Sequence, residues 1–142
     1  MRQVEKLAEI LRAELEGKRV IELACGSGVF SAAAAKYAEA VFCVDLDESR
    51  LNKTVGSLNN VSFLCCDATK LPFPNGSFDL AVLYNSFFHV KDVWPQIFQE
   101  SKRVLKDGGN LLIISSWKLD KEIMKTVLRN VESMNGYAFS RL

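Results

Sequence analysis

Val20-Ile21-Glu22-Leu23-Ala24-Cys25-Gly26-Ser27-Gly28-Val29-Phe30 is the stretch whose reading decides the fold. A short apolar run carrying one acid, Val20 to Ala24, breaks into small residues and glycines. The helix-forming run Ser31-Ala32-Ala33-Ala34-Ala35-Lys36-Tyr37 follows. The order is strand, tight glycine turn, helix. Such a turn brings backbone N–H groups and a helix start up to a ligand. Gly26 and Gly28 alone read equally well as an ordinary turn, so the weight falls on what lies downstream.

Outward from this stretch, helical and strand periods alternate. Upstream, Val4, Leu7, Ala8, Leu11 and Leu15 recur at helical spacing, with Gly17 as C-cap. Behind the glycines a helix is expected over about 28–39, burying Phe30, Ala33, Ala34 and Tyr37. Strands are expected at Val20–Ala24, Val41–Asp45, Val61–Cys65, Phe78–Tyr84 and Asn110–Ser116. Asp47 reads as the N-cap of a helix carrying Leu51, Val55 and Leu58. Residues 67–77 form a loop rich in Pro, Asn, Gly and Ser. Val93, Trp94, Ile97, Phe98, Ser101, Val104 and Leu105 make one helical face, with Pro95 in its first turn. Ile123, Met124, Val127, Leu128, Val131 and Met134 mark a last helix, stopped by Gly136. The middle strands are apolar on both faces, as in a parallel sheet covered on both sides. These features predict an α/β, Rossmann-like open sheet, mainly parallel, with helices on both faces. Its ligands are expected at the carboxyl ends of the strands, near the reversal of strand order.

A chain of 142 residues, 49% apolar and 25% charged, suits one domain over 1–142. The net charge of +1, with both signs scattered, argues against a nucleic-acid or membrane surface. The start, Met-Arg-Gln-Val-Glu-Lys, lacks the apolar core of a signal peptide. Cys25, Cys43, Cys65 and Cys66 form no Cys-x-x-Cys, and His89 is the one histidine, so no metal site is expected. Reduced thiols in the cytoplasm are the simple reading.

Three acids stand at or near the ends of consecutive strands: Glu22, Asp45 and Asp67. In a parallel sheet those ends share one edge. Asp45 follows the glycines at an interval suited to an acid accepting from two ribose hydroxyls. Asp67 stands where an adenine amino group can donate to it. Glu22, under the glycine turn, favours a cationic amine, with a satisfied structural acid as the lesser reading. The ligand these residues ask for is an adenosine with a cationic end. Its small negative group is expected on the glycine turn and helix start.

With those residues in view, the chain resembles the class I S-adenosylmethionine-dependent methyltransferases of the small single-domain type. The resemblance rests on Glu22-Leu-Ala-Cys-Gly-Ser-Gly, Val44-Asp45-Leu-Asp, Asp67-Ala-Thr-Lys-Leu-Pro-Phe-Pro-Asn-Gly-Ser-Phe-Asp79 and Arg103-Val-Leu-Lys-Asp-Gly-Gly-Asn-Leu-Leu-Ile. These segments are matched in order over about 18–116. The resemblance implies S-adenosyl-L-methionine as cofactor, held by Glu22, Ala24, Gly26, Gly28, Asp45, Leu46, Asp67, Ala68 and Asn85. It also implies a small-molecule methyl acceptor. Two positions depart from the family pattern. Ala24 stands where a glycine is usual and is expected to keep a negative φ. Asp107 replaces the proline of the turn before strand five.

His89 is a candidate base, although a lone histidine beside aromatics is more often packed or loop-bonded. Trp117 lies on the ligand edge and is a candidate substrate contact. Cys66 has no activating partner and is not expected to be a nucleophile. The alternative reading is a catalytically degenerate cofactor- or partner-binding protein of the same fold. Its motive is the expectation that the sheet is truncated after strand five and lacks the family's final β-hairpin. The strand-five edge would then be bare. It would be covered by residues 137–142 as a parallel sixth strand, or by a homodimer through that edge or the last helix.

Overall fold

The apolar periods of residues 19–84 fold, in the computed structural model of residues 2–142, into four parallel strands and their connections. The strands are β1 (Arg19–Glu22), β2 (Ala40–Asp45), β3 (Val61–Cys65) and β4 (Phe78–Tyr84). β5 (Leu105–Ser115), β6 (Glu132–Met134) and β7 (Tyr137–Arg141) complete one sheet in the order β3-β2-β1-β4-β5-β7-β6. β1 pairs in parallel with both β2 and β4. The chain therefore winds outward through β2 and β3, then returns to the other side of β1. That reversal opens a crevice at the carboxyl ends of β1 and β4.

The helices are α1 (Gln3–Ile10), α2 (Arg12–Leu15), α3 (Val29–Ala34), α4 (Lys53–Gly56), α5 (Phe87–Val90), α6 (Trp94–Val104) and α7 (Lys118–Val127). Two cores lie on opposite faces of the sheet. One gathers Leu7, Leu11 and Leu15 with Phe30, Ala34, Val41, Ile114, Tyr137 and Phe139. The other gathers Ile21, Leu23, Phe78, Phe87, Ile97, Val104 and Met124. Alternating strand residues supply both, which is why the strands are apolar throughout.

The expected helix after Asp47 is broken in two. Asp47 caps a single 3₁₀ turn, Glu48–Arg50, by accepting from the Ser49 N–H at 3.0 Å. Asn52 then caps α4 by accepting from the Thr54 N–H at 3.0 Å. Each side chain offers the backbone a local alternative to a continuous helix.

The expectation of a sheet truncated after strand five, without its hairpin, is overturned. α7 ends at Val127, and Leu128 is extended (φ −102°, ψ 143°). Val131 and Met134 therefore leave the helix. β6 and β7 form a hairpin closed by Asn135 (φ 52°) and Gly136 (φ 82°). Two consecutive positive φ values are what a type I′ turn needs, and Asn-Gly is its preferred pair. β7 runs antiparallel to β5, not parallel, pairing Ile113 with Ser140 and Ile114 with Phe139. The strand-five edge is thus covered within the chain, which removes the edge-based motive for a homodimer. The outermost strand on this side is the three exposed residues of β6, too short and polar to template another sheet.

Candidate functional site

The crevice at the strand reversal holds a cavity of about 430 Å³, within the range of small-molecule sites. Ala24, Gly26, Asp45, Leu46, Asp67, Ala68, Asn85 and His89, from four separate segments, line it. Glu22 and Gly28 lie behind this wall.

Gly26 (φ +56°) and Gly28 (φ +79°) turn the chain from β1 into α3. A Cβ at Gly28 would come within 3.0 Å of Leu51 and Val55, so this glycine serves close packing on α4. Ala24 adopts φ +50°, against the expectation of a negative value. The turn dictates the conformation, and the methyl group bears the strain. The loop's amides are largely spent internally. Cys25 donates to the Val44 carbonyl at 3.0 Å, Gly26 to Asp45 Oδ2 at 2.8 Å and Gly28 to the Cys25 carbonyl at 2.9 Å. The picture of bare N–H groups facing a ligand therefore fails at these three residues.

Glu22 is fully buried beneath the loop. It accepts from the Ser31 N–H at 3.1 Å and the Ser31 hydroxyl at 2.7 Å. Burial pushes its pKa up to about 8, only partly offset by the Ser31 bonds. It is a protonated strut fixing the start of α3.

Asp45 ends β2 facing the cavity, with one oxygen accepting from Gly26 and the other from the Asp47 N–H at 2.9 Å. The carboxylate is thereby oriented, and each oxygen keeps a lone pair. Leu46 beside it is 71% exposed, an apolar face at the rim. Asp67 accepts at Oδ1 from the Thr69 N–H (2.9 Å) and hydroxyl (2.7 Å). Those bonds hold its pKa below the ordinary range and leave Oδ2 for a donor. Ala68 follows on the cavity wall. Asn85 (φ +52°) turns back onto β5. Its Oδ1 accepts from the Ser116 N–H at 2.8 Å and the Ser115 hydroxyl at 3.1 Å. Its amide is an anchored wall of the cavity.

His89 is exposed at the opposite side of the opening, on α5, and its ring stacks on Trp117 at 6.4 Å. Phe88 meets Trp117 edge-on at 5.4 Å. Trp117 thus joins an aromatic rim beside the cavity. Asp120, fully buried on α7, accepts from the Phe88 N–H and pins that turn. Cys66 lines the cavity with its thiol pKa raised by burial, in keeping with an unactivated thiol.

Sequence reasoning missed Arg50, which lines the cavity above Gly26. It also missed Ser115 and Ser116, which orient Asn85, and Asp120. A single arginine in an exposed turn carries no signal of its own. The serines follow an apolar strand and look like its end. No group of three or more His, Cys, Asp or Glu side chains is placed to hold a metal ion among the described residues. Among the same residues, no helix is long and apolar enough to cross a membrane.

A family model described as "Methyltransferase domain" matches residues 21–113. The "Ubiquinone/menaquinone biosynthesis C-methyltransferase UbiE" of a Shewanella species is 33% identical over 121 residues, covering 78% of this chain and 47% of the relative. The chain thus spans about half the length of the curated relatives it matches. A solved S-adenosylmethionine-dependent methyltransferase from Mesorhizobium loti aligns with a TM-score of 0.65 at 30% identity, over 79% of this chain and 55% of that one. A structure from Aquifex aeolicus, at 22% identity and a TM-score of 0.72, covers 96% of this chain and 86% of its own, and shows the shared fold.

Proposed function

The chain belongs to the family of class I S-adenosylmethionine-dependent methyltransferases, and on that premise we propose that it transfers the cofactor's methyl group to a small-molecule acceptor. The carrying observation is that Asp45 and Asp67, from the ends of two parallel strands, converge on one cavity over Gly26. The donor set fits an adenosyl group. Asp45, already oriented by two amides, accepts from the ribose hydroxyls. Leu46 offers an apolar face to the adenine. Asp67 accepts the adenine amino group and Ala68 reads its edge. Gly26 keeps the loop surface free of a side chain on the cavity side. Glu22 and Gly28 hold the loop from behind, while Ala24 and Asn85 wall the methionine end.

The bound cofactor supplies an electrophilic methyl group carried on a sulfonium. Its transfer to a nucleophile neutralises charge, so positioning and exclusion of water can do much of the work. On this chain the aromatic rim of Phe88 and Trp117 orients an acceptor over the opening. His89 accepts a proton where the nucleophile must lose one. Asp120 holds the turn that carries His89. The whole chain is proposed to act as one domain. The four cysteines, none in a disulfide, suit a reducing cytoplasm. The alternative of a degenerate binding protein rested on a missing hairpin, and β6–β7 removes that ground.

Calorimetry with S-adenosylhomocysteine and with NAD tests the cofactor reading. Wild-type protein is expected to bind the first and not the second. Asp45→Ala removes a charged acceptor for two hydroxyls and is expected to cost about 2–3 kcal/mol of binding. Undiminished affinity in a folded Asp45→Ala protein would show that the ribose lies elsewhere. His89→Ala is expected to lower turnover while leaving cofactor affinity unchanged.

A further inference from the structure

We propose that Arg50 binds the carboxylate of the cofactor's methionine part, a role that rests on the cofactor reading above and extends it. Arg50 is the one lysine or arginine among the residues lining the cavity, where Asp45 and Asp67 supply negative charge. An amino-acid carboxylate entering there has a single full positive charge to meet. Among the described residues the Arg50 guanidinium makes no hydrogen bond and no ion pair within its own chain.

The guanidinium lies directly over the glycine loop. A Cβ built at Gly26 would stand 3.3 Å from Arg50 Nη2 and 3.6 Å from Cζ. Gly26 therefore leaves space that the arginine head fills. Three of the loop's own amides are already spent. The N–H groups of Cys25, Gly26 and Gly28 are committed to Val44, Asp45 and Cys25. α3, at six residues, is less than two turns long.

The backbone that carries Arg50 is held on both sides. Asp47 caps the turn before it through Ser49. After it, the Asn52 N–H donates to the Ser27 carbonyl at 2.9 Å, which ties the turn to the glycine loop itself. Leu51 packs onto Gly28. The arginine head thus moves with the loop. Its planar fork matches a carboxylate bidentately, whereas a lysine would offer only a point charge.

The test is calorimetry of wild type, Arg50→Ala and Arg50→Lys with two ligands. S-adenosylhomocysteine carries the carboxylate; 5′-methylthioadenosine has the same adenosyl group and lacks the amino-acid end. Arg50→Ala is expected to weaken S-adenosylhomocysteine about tenfold, the low end for a charged hydrogen-bonded pair near solvent. Methylthioadenosine is expected to bind unchanged. Arg50→Lys should fall between wild type and Arg50→Ala. The salt dependence of S-adenosylhomocysteine binding should flatten in Arg50→Ala. Equal weakening of both ligands would place Arg50 on the adenosine and overturn the proposal. Unchanged S-adenosylhomocysteine affinity would overturn it too. Wild-type protein that binds neither ligand would overturn the cofactor reading, and this role with it. Circular dichroism of each variant checks that the fold is intact.

Discussion

Ala24 sits at φ +50°, a conformation that costs an L-residue about 1–2 kcal/mol relative to glycine. The methyl group is only partly buried against the core of Ile21 and Leu23, a contact too small to offset that strain in full. Ala24→Gly is expected to raise stability by about 1 kcal/mol after the greater freedom of glycine in the unfolded chain is counted. Urea denaturation reads this directly, and a lower midpoint would show that the methyl packs usefully. Glu22 makes a second prediction at this scale. In the fold it keeps its proton up to about pH 8, against 4.5 for an ordinary carboxyl. Between those values the folded state binds more protons than the unfolded state, so this group's contribution to stability falls as pH rises. Glu22→Gln keeps an acceptor for Ser31 and loses the ionisation. Its denaturation midpoint is expected to change less than wild type's between pH 5 and pH 8. The acids at the strand ends were legible because strand-end chemistry is local. Arg50 was not, because its significance comes from Gly26, far off in sequence and adjacent only once β1 and β2 have paired.

The loop over 67–77 shows how one side chain fixes an element. Arg103, on α6, donates to the carbonyls of Phe73 (2.8 Å) and Leu71 (2.9 Å) and to Asn75 Oδ1 (2.9 Å). Glu100 holds its fork at 2.8 Å and also accepts from the Leu71 N–H at 2.8 Å. Arg103→Lys cannot reproduce the fork and is expected to destabilise the fold by about 1–3 kcal/mol. Hydrogen exchange in that loop should accelerate. Unchanged protection would mean that Phe73, packed on Phe42 and Phe78, holds the loop alone. The β6–β7 hairpin was the element least legible in sequence. Val131 and Met134 continue the helical period begun at Ile123, so periodicity alone carried the helix too far. The discriminating signal was Asn135-Gly136 read as a pair, not Gly136 as a stop. A Cβ at Gly136 would meet nothing within 4 Å, so Gly136→Ala isolates the conformational cost of φ 82°. It is expected to lower stability by about 1 kcal/mol.

At the scale of the whole molecule, the parallel strands and their reversal at β1 were legible, because βαβ connections follow a narrow set of rules. The closing antiparallel pair lay outside those rules. Its removal has a plain expected outcome. A chain ending at Arg129 would expose the β5 edge, including Ile113 and Ile114, and is expected to associate in sedimentation experiments. A soluble monomer would show that the edge needs no cover. β7 also reaches back to the start of the chain. The Tyr137 hydroxyl donates to the Gln3 carbonyl at 3.4 Å, and Arg141 pairs with Glu14. Tyr137 and Phe139 share a core with Val4, Leu7 and Leu11. α1 is therefore finished by β7, a strand made 134 residues after Gln3. Until β7 is made its apolar stripe waits without part of its cover, and closing that contact joins residues 134 positions apart. The hairpin is thus a timing device as well as an edge: the nascent chain stays adhesive at α1 until β7 emerges, which is the interval in which a chaperone has something to hold.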